Sequence, residues 1–89
     1  MENTTTKMDL TGKPISDLAR IIRADWANVY FGAKPYLSAM RGIETINDAY
    51  GCEDGRVQVL YFLSNATTWR GDVARQVKAE LNRRLKARG

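Results

Sequence analysis

A chain of 89 residues with a net charge of +4 makes one domain with one modest core, which excludes a second core and leaves room only for a shallow cleft. Histidine is absent and Cys52 is the single cysteine, so the usual general base, the usual zinc ligand and an internal disulfide are all missing. No apolar run approaches the ~20 residues that span a bilayer, and the N-terminus lacks the basic-then-apolar layout of a signal peptide; a cytoplasmic protein without membrane contact is expected.

In chain order, residues 1–12 are rich in Thr and Asn without apolar periodicity and are expected to be a flexible tail, with a single helical domain over residues 13–89. Pro14 suits a first helical turn, and Ile15, Leu18, Ile22, Trp26 and Val29 then recur at three-to-four-residue steps, predicting a helix over about 14–31 with Gly32 as its stop. The Tyr30-Phe31 pair on this stripe reads as core, like Trp26. After Ala33-Lys34-Pro35, Tyr36, Leu37, Met40, Ile43, Ile46 and Tyr50 trace a second apolar stripe that ends at Gly51. A turn follows, with Glu53 or Asp54 available as a helix cap.

Val57–Leu63 has Gln58 as its one polar residue and suits a buried strand or a buried helix. Helix is the better reading, because no other segment offers a strand partner and a lone strand would leave its backbone groups unpaired. Val59, Leu60, Phe62 and Leu63 are then expected in the core. Residues 64–68 read as a hinge, with Asn65 suited to positive φ and Thr67 or Thr68 as the next N-cap. A last helix is predicted from about Trp69 to Ala87, its apolar face carrying Val73, Val77, Leu81 and Leu85 and its outer face Arg75, Lys78, Arg83 and Lys86. Glu80 can pair with Arg84 four residues on. The fold class that results is all-α, a compact bundle of about four helices.

Charge follows the same division. Residues 1–54 carry six basic and eight acidic side chains, a net of −2, and residues 55–89 carry eight and two, a net of +6. Such polarisation suits a nucleic acid or an acidic patch on a partner, although cations late in a helix also simply compensate its dipole. Trp69 and Arg70 allow two readings as well, a stacking and phosphate-binding pair or a core aromatic beside a solvated cation. A helix-turn-helix around Gly51 is disfavoured: Asn47 stands where a small residue is wanted, and the would-be recognition helix opens with Glu53-Asp54, which repels phosphate. Catalysis lacks its parts, since no serine has a histidine to activate it, no glycine-rich phosphate loop is present, and Cys52 lies beside two acids that disfavour its thiolate. No cofactor or metal is expected.

The segment YFLSNATTWRGDVARQVKAEL resembles one that recurs in small proteins of phages and mobile elements. The resemblance implies a setting in which short non-enzymatic proteins block a host factor, the anti-CRISPR class among them; acidic mimicry of nucleic acid does not fit a chain of net +4. Three binding readings follow. One is an inhibitor or adaptor that engages a host protein or nucleoprotein through Trp69, Arg70, Arg75, Lys78, Arg83 and Lys86. A second is a nucleic-acid accessory protein using that face on phosphates, and a third is a homo-oligomer joining the acidic turn of one copy to the basic helix of another.

Overall fold

Ile15, Leu18, Ala19 and Ile22 lie on one side of a 3.6-residue period, and all are buried along the first helix, α1, Ile15–Asp25. The computed structural model describes residues 8–50 and 53–87. Within them α1 is followed by a 3-10 turn at Phe31–Ala33, α2 (Lys34–Met40), the strand pair β1 (Ala49–Tyr50) and β2 (Glu53–Asp54), α3 (Gly55–Ser64) and α4 (Asp72–Lys86). The strands are antiparallel, with Ala49 opposite Asp54, and only clip the connection before α3; the four helices form the bundle expected. Gly51 and Cys52 lie outside the described residues.

The first two helices are shorter than their apolar stripes, for identifiable reasons. At Trp26, with ψ of 89°, the backbone leaves helical geometry, and the indole turns inward onto Phe62 and Trp69. Gly32 is not the stop: its φ is not positive, and it sits inside the 3-10 turn. Pro14 supplies no side-chain cap to α1, so the N–H groups of Ile15 and Ser16 donate instead to the carbonyls of Glu44 and Ile43, at 2.7 and 2.9 Å. Those carbonyls would have served Asp48 and Asn47 had α2 continued. The segment beyond Gly42 is held as a turn by Asp48, whose carboxylate accepts from the backbone N–H groups of Glu44 and Thr45. These bonds hold the Asp48 carboxyl below its ordinary pKa, Glu44 N–H contributing most. Ile43 and Ile46 remain buried without the helix that was expected to carry them.

Val57–Leu63 is helical, and Asp54 caps α3 by accepting from the Val57 N–H at 3.3 Å. Val59 and Phe62 are fully buried, but Leu60 is 48% exposed and Tyr61 49%, while Gln58 is buried. Placing Leu60 in the core was therefore incorrect: α3 has an outer face, and it is apolar. Asn65 ends the helix at negative φ, its side-chain amide donating to the Tyr61 carbonyl. Neither Thr67 nor Thr68 caps α4, which begins at Asp72 after Gly71 at φ 113°, a conformation that glycine adopts cheaply.

The core lies between the inner faces of all four helices, with Leu18, Ile22, Leu37, Met40, Phe62, Val77 and Leu81 among its most buried members. Burying each such side chain contributes roughly 1.5–3 kcal/mol. The predicted flexible tail needs correction in its described part. Leu10 is only 4% exposed and belongs to the core cluster, Met8 N–H donates to Gln76 Oε1 at 2.7 Å, and Arg84 donates to the carbonyls of Leu10 and Lys13. An apolar residue in a polar stretch, with no periodicity around it, gave no pattern from which that docking could be read. Residues 1–7 lie outside the described residues.

Candidate binding surface

Val77 and Leu81 fix the rotation of α4 by facing the core, which leaves Arg75, Ala79, Asn82, Arg83 and Lys86 on the solvent side. Three of the predicted contact residues thus share one exposed arc. Two of them have local partners: Arg75 pairs with Asp72, and Arg83 donates from Nε and Nη2 to the two carboxylate oxygens of Glu80, at 3.0 and 2.6 Å. Lys86 is exposed at the last turn. The Arg75–Asp72 pair is exposed on both sides and contributes about 0–1 kcal/mol, so a partner's anion can compete for Arg75 at small cost, whereas Arg83 is tied to a buried carboxylate.

Glu80 is nearly buried and has a second partner, Arg84 Nε at 2.7 Å. Its carboxyl is held below the usual carboxylate range, chiefly by the Arg83 hydrogen bond and also by Arg84, against the opposing effect of burial. With its remaining donors on the Leu10 and Lys13 carbonyls, Arg84 is a structural clasp rather than part of the outer face.

Trp69 does not belong to the contact set. Its side chain is 2% exposed and lies parallel to Trp26 with ring centroids 5.8 Å apart, Phe62 meets both indoles edge-on, and Trp69 Nε1 donates to Asp25 Oδ2 at 2.9 Å. A large ring with one polar atom is best buried where that atom finds an acceptor, and Asp25 at the end of α1 supplies it. Arg70 beside it is exposed. Lys78 is half-withdrawn: its ammonium donates to the Trp69 carbonyl at 2.6 Å and lies 5.8 Å from the Trp69 ring centroid. Burial lowers the Lys78 pKa, and the charge of Arg70 lowers it further. Trp69, Arg70, Arg75 and Lys78 nevertheless line one hollow at the start of α4.

Two surface features escaped the sequence reading. Phe31 is 75% exposed and Tyr30 45%, their rings tilted against each other with centroids 5.0 Å apart, and Tyr61 meets the half-buried Tyr36 at 5.3 Å on the outer side of α3. The stripe that assigned Tyr30 and Phe31 to the core presumed a helix that has already ended at Asp25. The second feature is a convergence of Arg20, Arg23 and Arg41 around Ala24, where α1 passes the end of α2. The net −2 of residues 1–54 concealed it, because Glu44, Asp48 and Asp54 are gathered in the connection before α3. The i, i+3 spacing of Arg20 and Arg23, off the apolar stripe of α1, was the available signal.

Comparison with models of protein families, with curated proteins and with solved structures finds no match.

Proposed function

We propose that the protein works by binding, and that the outer face of α4 engages an acidic surface of a host protein or nucleoprotein, as an inhibitor or adaptor of phage or mobile-element type. The observation that carries this reading is the exposure of Arg75, Arg83 and Lys86 on one arc of a helix whose opposite side is anchored by Val77 and Leu81. Arg70 continues the positive surface beyond the start of α4. Trp69 and Arg84 serve the fold, so the working set narrows to Arg70, Arg75, Lys78, Arg83 and Lys86. Two features weigh against a homo-oligomer built on the acidic turn: the Asp48 carboxylate is engaged by its own backbone, and that of Asp54 caps α3.

A second reading places phosphates on the same face. It is favoured by the meeting of Arg70, Arg75 and Lys78 at one hollow, where an anion would relieve their mutual repulsion. Affinity capture from host lysate at low salt tests both. The wild-type chain is expected to retain a partner, and the reversal Arg75→Glu, Lys86→Glu, which spares the Arg83–Glu80 pair, to lose it. Retention of the same partner by the reversed protein would remove α4 as the contact. Nuclease treatment of the lysate separates the readings, since a protein partner survives it and a nucleic-acid bridge does not.

A further inference from the structure

We propose that the surface between α1 and α2, with the 3-10 turn that joins them, is a second and independent site that binds single-stranded nucleic acid. It consists of two adjoining hollows. Arg20, Arg23 and Arg41 line the first, around Ala24; Arg23 and Lys34 line the second, with Asn28 and Val29. Because Arg23 belongs to both, the cations form one continuous track along α2, from Arg41 at its end to Lys34 at its start. The two stand seven positions apart along the helix, a rise of about 10 Å. The side chains of Arg23 and Arg41 make no hydrogen bond or ion pair with a described residue, and Arg20 pairs only with Asp17, at 2.8 Å. Guanidinium groups converging in this way repel one another until an anion lies between them, and their planar forks match phosphate.

The rings on the turn that leads into α2 decide which polyanion fits beside this track. Val29 and Lys34 line the second hollow, and between them in sequence stand Tyr30 and Phe31, the most exposed aromatic pair among the described residues. Tyr30 is held by close packing: a Cβ on Gly32 would fall 2.6 Å from Tyr30 Cε2 and 2.9 Å from Asn65 Oδ1, so the turn and the end of α3 are fitted tightly around it, and Phe31 packs against Tyr30 from the solvent side. Cations beside exposed aromatic rings are how single strands are held without sequence preference, phosphates on the cations and unpaired bases on the rings. A duplex keeps its bases stacked inside and would leave Phe31 in water. An acidic protein segment would satisfy the arginines but not the rings.

The test is fluorescence anisotropy with a labelled ~15-nucleotide oligothymidylate at ~50 mM salt, using the full chain. Saturable binding that weakens steeply as salt rises is expected. The double variant Arg23→Glu, Arg41→Glu should weaken it by at least about tenfold, through lost phosphate contacts. Phe31→Ala should weaken it about fivefold or more with the salt slope unchanged, because a stacked base and not a phosphate is lost. All three positions are exposed, and an unchanged circular dichroism melt verifies the fold of each variant. The charge-matched α4 reversal Arg75→Glu, Lys86→Glu should weaken this binding less than the Arg23, Arg41 variant does; an equal or larger loss would place the contact on α4 and overturn the proposal. Absence of binding by the wild type overturns the proposal. So does undiminished binding by the Arg23, Arg41 variant, or a wild-type dimer in light scattering that Phe31→Ala dissolves while oligothymidylate is ignored; the last result would assign the rings to a protein interface.

Discussion

Glu80 illustrates how one side chain can tie surface charge to stability. Its carboxylate receives Arg83 and Arg84 together, and Arg84 reaches on to the Leu10 and Lys13 carbonyls, so ionised Glu80 orients the group that clasps the N-terminal segment. A carboxyl whose pKa is depressed in the fold stabilises the protein above its ordinary value of 4.5, and that contribution disappears as pH falls through the lower folded value. Urea unfolding followed from pH 6 to pH 3 should therefore show stability falling with acid in the wild type, and a shallower fall in Glu80→Gln. Asp48 is depressed in the same direction, so the variant should keep part of the slope. Equal slopes in the two proteins would mean that Glu80 gains nothing from its guanidinium partners.

At the scale of elements, the start of α3 gives the sharpest prediction. Gly55 is buried, and a Cβ there would lie 2.6 Å from Ile43 Cδ1 and 2.9 Å from the Thr45 carbonyl oxygen. The Ile43 methyl can move, but the carbonyl belongs to a backbone turn already held by Asp48. Alanine would gain up to about 1 kcal/mol of helix propensity and lose about 1–3 kcal/mol to crowding, so Gly55→Ala is expected to lower the urea midpoint. A raised midpoint would show that the turn yields. The same turn explains what was and was not legible beforehand. The helical nature of α3, its Asp54 cap and the rotation of α4 were readable, because local pattern and tertiary packing agree there. The ends of α1 and α2 were not, because they depend on partners distant in sequence: Trp26 leaves its helix for Trp69 and Phe62, and residues 43 and 44 give their carbonyls to α1. Of the candidate site, Arg75, Arg83 and Lys86 were recognisable from helical period alone. Trp69 and the exposure of Phe31 turn on tertiary contacts that no period encodes.

For the molecule as a whole, the two ends of the described chain complete one core. Leu10 enters it from a segment expected to be a flexible tail, so Leu10→Ala should cost about 2–5 kcal/mol, as large-to-small changes in cores do. A residue in a mobile tail would change stability by less than about 0.5 kcal/mol, and a thermal or urea melt distinguishes the two outcomes. No helix among the described residues is long and apolar enough to cross a membrane. Cations meanwhile occupy two separate regions, the outer arc of α4 and the junction of α1 with α2, so substitutions in one should act independently of the other.

The Arg84 clasp also imposes an order on synthesis. Its donors reach carbonyls 71 and 74 positions earlier in the chain, so the seat that holds Lys13 and Leu10 does not exist until the ribosome has added Arg84 itself. Until then Leu10 lacks the partners that α4 supplies. Since α4 is made after the other described helices, the segment around Leu10 docks only once they exist.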